Sequence, residues 1–198
     1  MLNELLERYP SLAVCKAEIE GARDAIIECY REGGKLLLCG NGGSSADCDH
    51  IVGELMKGFK LKRRVTDERI PEDVRNKLQG ALPAISLSSQ SAALTAFIND
   101  EDHSMVYAQM IYGYAAKGDL FLGISTSGNS KNVVNAAIVA RSLGLKTLAL
   151  TGEKESKLSE ICDVTVRVPE HETFKIQELH LPIYHYLCAS VEAAFFEE

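Results

Sequence analysis

What most restricts this chain is an alternation between two hydrophobic periods. Five stretches, residues 35–39 (KLLLC), 82–87 (LPAISL), 119–125 (DLFLGIS), 146–150 (KTLAL) and 164–168 (VTVRV), are short, apolar and bounded by turn residues. Between and after them, at 45–57, 92–97, 105–116, 129–143 and 172–196, apolar residues recur with helical spacing. Strands that alternate with helices and read as continuous apolar runs are buried on both faces, so the chain is expected to be α/β, with a parallel sheet covered by helices on both sides. Ahead of the first run, Leu12, Cys15, Ile19, Ala22, Ile26 and Cys29 recur every three or four residues and Gly33-Gly34 follows. This spacing predicts an amphipathic helix over 11–31, packed on something outside the core sheet.

Residues 60–80 break the pattern: eleven of these twenty-one residues are charged and few are apolar. They are expected to be a connection rather than a core element, with PEDVRNKL forming a helical turn or two from Pro71. A connection of this length is either functional or mobile. The whole chain, 1–198, is read as one domain with a helical extension at 1–34 and a charged insertion at about 60–80.

Charge and composition exclude several classes of function. With 21 basic and 28 acidic residues the net charge is −7, which argues against duplex nucleic acid or an anionic membrane as the main partner, while leaving room for a local pocket that takes one phosphate. No apolar run approaches the ~18 to 20 residues of a spanning helix, and MLNELLERYPSL lacks the basic-then-apolar layout of a secretory leader. A cytoplasmic location is expected. The six cysteines contain no CxxC pair and most lie in apolar-periodic segments, so reduced thiols are expected, with neither a disulfide framework nor a Cys-ligated zinc.

Two loops carry the chemistry of anion binding. GNGGSSAD (40–47) follows a strand and opens a helix; its glycines let the backbone turn sharply and approach a ligand, and the helix start offers unpaired N–H groups. It lacks the third glycine of a dinucleotide loop and the Gly-Lys-Ser/Thr of a P-loop. STSGNS (125–130) sits at the next such junction, where Ser125, Thr126, Ser127 and Ser130 meet the N-terminus of a helix at the carboxyl end of a strand. It is suited to a phosphate that stays attached, since phosphoryl transfer wants a Mg²⁺-holding carboxylate and a charge clamp. The bland alternatives are a strand-to-helix turn that favours Gly, Asn and Ser, and serines that merely cap a helix.

Two helices carry ionisable groups. His50 and Glu54, four residues apart, share a helix face and can hold a metal or a substrate proton, or form an ordinary surface ion pair. The final helix, IQELHLPIYHYLC (176–188), places Gln177, Glu178, His180 and His185 among apolar residues, where buried imidazoles need partners. Gln177 and His185 lie about 80° apart around the helix but roughly 12 Å apart along it, so both reach one ion only with extended side chains. Spacing does not choose between His180 and His185, and packed core histidines remain the alternative.

The succession GNGGSS, HxxxE, ND, STSGNS and IQExHxxxxH, from about residue 36 to 192 in this order, resembles the sugar isomerase (SIS) domain and, within it, the phosphoheptose isomerases. The resemblance implies a flavodoxin-like αβα sandwich with a five-stranded parallel sheet, an N-terminal helix packed in a homotetramer, and conversion of sedoheptulose 7-phosphate to D-glycero-D-manno-heptose 7-phosphate. It assigns substrate contacts to Asn41, Gly42, Gly43, Ser44, Glu54, Asn99, Asp100, Ser125, Thr126, Ser127, Ser130 and Gln177. A divalent metal, usually zinc, is assigned to His50, Glu54, Gln177 and His185, and the catalytic pair to Glu54 and His185; the choice of His185 rests on the resemblance alone. The chain departs from the family at Lys57-Gly58-Phe59, where a glycine, an arginine and a phenylalanine usually stand in that order, at the loop 151–157, at the longer segment 60–80 and at Phe174. These departures bear on which sugar phosphate fits. Rival readings are an isomerase for another sugar phosphate, or a non-catalytic relative that senses a phosphosugar or binds the replication initiator DnaA.

Overall fold

Each of the five apolar runs forms a strand in the computed structural model, which describes residues 1–196. The strands are β1 (Leu36–Gly40), β2 (Ala84–Ser86), β3 (Leu120–Ile124), β4 (Lys146–Thr151) and β5 (Val164–Arg167). They pair in parallel in the order β2-β1-β3-β4-β5. The helices are α1 (Leu2–Arg8), α2 (Lys16–Arg31), α3 (Gly43–Met56), α4 (Glu72–Arg75), α5 (Ser91–Asp100), α6 (Val106–Tyr114), α7 (Lys131–Ser142), α8 (Lys157–Ile161) and α9 (Thr173–Phe195).

Alternate residues of each strand serve two cores, as the two-residue period requires. Leu36, Leu38, Leu120, Leu122 and Leu148 pack with α2, α3 and α9 on one face, whereas Leu37, Cys39, Phe121 and Ala149 pack with α6 and α7 on the other. From β1 the chain crosses to β2 on one side and then returns to β3 on the other. Strand order therefore reverses between the paired carboxyl ends Gly40 and Ile124, the crevice where doubly wound sheets bind ligands.

One expectation needs correction. The apolar stripe of residues 12–29 begins in a 3₁₀ segment, Pro10–Cys15, and continues in α2. Its residues are buried in the chain's own core against α9 and β5 rather than outside the sheet, because that end of the sheet has no other helix to cover it. The charged segment is a connection, as expected, with one residue anchored in the interior. Pro71 does precede a single short helix, α4, but Arg63 is only 1% exposed and its Nε donates to Glu192 of α9 at 2.8 Å. Helices α1 and α8 went unread; α8 is held by reciprocal hydrogen bonds between Ser156 and Ser159, a capping box with Ser in place of the usual Glu.

Candidate functional site

The two glycine- and serine-rich loops face the same crevice. After β1, Gly42 adopts φ +55° and turns the chain into α3, with no side chain capping that helix. A Cβ on Gly43 would lie 2.7 Å from Nε2 of Gln177, so only glycine lets the α9 amide reach the start of α3. Ser44 is buried beneath the loop. Asn41 exchanges side-chain hydrogen bonds of 2.9 Å with Asn132 of α7, joining the two loops. Tyr107 supports the junction by donating to the Gly40 carbonyl at 2.8 Å.

After β3, Ser125 is buried and its hydroxyl donates to Ser130 Oγ at 3.0 Å, with Ser127 Oγ 3.5 Å away. Ser130 stands at the N-cap of α7, yet its hydroxyl makes no bond to that helix. The purely structural reading of these serines required such a cap; instead the hydroxyls cluster beside the amides of a helix start. Thr126 lends its carbonyl to Gly152 N at 3.0 Å, tying the loop to the end of β4. Gly128, at φ +63°, packs so closely on Ser156 that a side chain has no room.

A second cluster lies along α3 and α9. His50 Nε2 is 3.3 Å from Glu54 Oε1 and 3.4 Å from His185 Nε2. Lys57 approaches the other Glu54 oxygen at 3.4 Å, so the basic residue out of family order lands on the carboxylate. The Phe59 ring lies 5.6 Å from that of His185, tilted by 38°. Burial, and then the neighbouring His50, push the His185 pKa down. His50 Nδ1 meets Tyr184 Oη at 3.1 Å, and the same hydroxyl lies 3.1 Å from Asp47 Oδ1. Sequence reasoning gives no role to Tyr184 or Asn132, which look like ordinary helix residues, and includes Asp47 only as the last residue of GNGGSSAD.

His180 points elsewhere. It is fully buried, with Nε2 3.3 Å from the Thr151 carbonyl, and burial lowers its pKa to about 4. It is a neutral core imidazole. Asn99 and Asp100 end α5, hydrogen-bonded to each other and exposed; among the described residues no hydrogen bond joins them to either loop.

Tetrahedral zinc with bonds of about 2.0–2.1 Å sets its ligand atoms about 3.4 Å apart, which matches the spacing of His50 Nε2 from its two neighbours. Among the described residues no three such side chains close into a complete cage, and Gln177 sits by Gly43 instead. His50, Glu54 and His185 are thus two edges of a potential site. A cavity of about 520 Å³ lies beside His185, lined by Arg8, Phe59, Lys60 and Leu181 among others. One of about 460 Å³ at the opposite end of the sheet is lined by Glu28, Glu32, Asp119 and Asp163 together with Lys117 and Lys146.

Comparison with known proteins places this arrangement. The SIS domain model matches residues 3–152, and a phosphoheptose isomerase of Aliarcobacter butzleri is 41% identical over 97% of this chain and 95% of its own. The chain belongs to the SIS domain family, among the phosphoheptose isomerases. The solved phosphoheptose isomerase of Francisella tularensis superposes with a TM-score of 0.78 at 30% identity, covering 97% of this chain and 98% of that one. The Neisseria gonorrhoeae enzyme gives 0.73 at 29%, covering 96% and 98%. This SIS fold has the five-stranded αβα architecture expected above.

Proposed function

We propose that the chain is an aldose–ketose isomerase that converts sedoheptulose 7-phosphate to D-glycero-D-manno-heptose 7-phosphate. The observations that carry this reading are two glycine- and serine-rich loops facing one crevice at the switch point and, on α3 and α9, the carboxylate of Glu54 gathered with the imidazoles of His50 and His185. Ser125, Thr126, Ser127 and Ser130 would hold the phosphate, which takes no part in the chemistry. Asn41, Gly42, Gly43, Ser44 and Gln177 would line the path of the sugar, with Asn99 and Asp100 closing on it.

Moving a carbonyl from C2 to C1 needs one proton carried between the carbons and one between the oxygens. Glu54, a half-buried carboxylate, would take and return the carbon proton. His185, whose pKa burial and then the neighbouring His50 push down, would exchange protons with the substrate oxygens at whichever ring nitrogen a metal leaves free. His50 Nε2 lies 3.3 Å from Glu54 Oε1 and 3.4 Å from His185 Nε2, the spacing of neighbouring zinc ligands, so we assign a zinc ion to His50, Glu54 and His185, with Gln177 swinging in. Bound there, it would supply Lewis acidity toward the enediolate oxygens.

The whole chain would act as one domain and assemble as a homotetramer. Support for assembly comes from exposed apolar residues such as Val14, Ile98 and Tyr112, since the α2 stripe is already covered; sedimentation at micromolar concentration should give a tetramer, and a monomer would refute it. The cytoplasm is assigned from the substrate, a phosphorylated sugar, and from the thiols of Cys15, Cys29, Cys39, Cys48 and Cys188, which pack as buried apolar groups. No described helix is long and apolar enough to cross a membrane.

The deciding experiment is a product-resolved NMR assay in D₂O over a panel of ketose phosphates, with metal analysis of the purified protein. Turnover of sedoheptulose 7-phosphate with deuterium entering the carbon chain is expected. Turnover of another sugar phosphate alone would reassign the substrate, and tight binding without turnover of any would favour a sensing or partner-binding role.

A further inference from the structure

We infer that Tyr184 and Asp47 are positioning residues that hold His50 in the tautomer protonated at Nδ1, so that its Nε2 lone pair is directed at Glu54 and His185. Tyr184 Oη lies 3.1 Å from His50 Nδ1 and 3.1 Å from Asp47 Oδ1, and it has a single proton to give. Asp47 Oδ2 is buried without a partner. If Tyr184 donated to His50, Asp47 would be left as a carboxylate with neither oxygen paired and a phenol lone pair against it, a costly arrangement for a buried group. The tyrosine therefore donates to Asp47 and accepts from His50 Nδ1–H.

The direction of this chain fixes the other ring nitrogen. A neutral imidazole protonated at Nδ1 has an unprotonated Nε2, and here that atom is the one 3.3 Å from Glu54 Oε1 and 3.4 Å from His185 Nε2. The ring is also clamped edge-on to Tyr184, with centroids 5.3 Å apart. Metal-binding histidines are usually oriented by a carboxylate or carbonyl on the second nitrogen; in this chain a buried phenol stands between imidazole and carboxylate. The inference deepens the isomerase reading of the site, on which the use of the lone pair rests, while the proton at Nδ1 follows from the Tyr184 and Asp47 partners.

Long-range ¹H–¹⁵N correlation spectra of the histidine-labelled full chain test it without turnover. The protein is stripped with a chelator, so that no metal dictates the tautomer, and held above the ordinary imidazole pKa of about 6.5. The His50 signals are identified by their loss in His50→Gln. The wild type should show protonated Nδ1 and free Nε2, and Tyr184→Phe should lose that preference. Should Tyr184→Phe fail to fold, Asp47→Asn is the second variant: its amide removes the obligatory acceptor and should also abolish the preference. A wild-type His50 protonated at Nε2, or variants with an unchanged tautomer, would overturn the inference. Zinc affinity measured by chelator competition separates the two readings: Tyr184→Phe should bind about 10- to 100-fold more weakly, whereas a wild type that binds no zinc would remove the metal assignment and leave the tautomer to be decided by the spectra.

Discussion

Glu192→Gln is the sharpest test of how the charged segment is held. The Glu192 carboxylate is 1% exposed and accepts from Phe59 N and Arg63 Nε at one oxygen, both at 2.8 Å, and from Lys60 N and Leu61 N at the other, at 2.8 and 3.3 Å. Arg63 in turn donates to the carbonyls of Glu54 and Leu55 and lies 5.0 Å from the Phe196 ring. A glutamine at 192 must turn its NH₂ toward two donors in either orientation. Two charge-assisted bonds are lost and the guanidinium loses its counterion, so the variant should be about 3 to 5 kcal/mol less stable at pH 7. The assay is urea unfolding followed by circular dichroism at matched protein concentration, because assembly contributes to apparent stability. Burial alone would raise the Glu192 pKa, but the amides and Arg63 outweigh it and hold the carboxyl below its usual value of 4.5. Its contribution is therefore present above that value and is lost as pH falls through the lower folded-state pKa, so the gap between variant and wild type should narrow in acid. A loss under about 1 kcal/mol at pH 7, or a gap that widens in acid, would refute the reasoning.

Ser127→Ala combined with Ser130→Ala should raise KM far more than it lowers kcat, because the phosphate they would hold does not react; an unchanged KM in the folded variant excludes the cradle. His185→Ala and Glu54→Gln should each cut turnover about 10²-fold or more, with the double variant little worse than either, whereas His180→Ala should keep a measurable rate in whatever fraction folds. A dead His180→Ala that is fully folded beside an active His185→Ala would reverse the assignment on α9. His180 also sets an acid limit: its folded-state pKa of about 4 lies below the ordinary 6.5, so the unfolded chain binds the extra proton. Stability should be full above pH 6.5 and decline toward pH 4, by about 3 kcal/mol from this residue, and unfolding midpoints of wild type against His180→Ala across that range check it.

The alternation of apolar runs and helical periods was enough to determine the α/β class, all five strands and the two glycine- and serine-rich loops, because a strand buried on both faces and a glycine turn at its end are local facts of composition. The His50–Glu54 pair was legible for the same reason, being one turn of one helix. Helix α8 escaped because its short capped turn carries no hydrophobic period, and α1 because it is barely two turns long. What only tertiary structure decided is which face of each element meets which neighbour. His180 and His185 are five residues apart, about 140° around α9, and nothing in their spacing says which side faces the sheet. Packing sends His180 to the Thr151 carbonyl and His185 to His50. Likewise Arg63 finds Glu192 across 129 positions and Tyr184 finds Asp47 across 137, pairings that exist only because α3 and α9 cover the same face of one sheet.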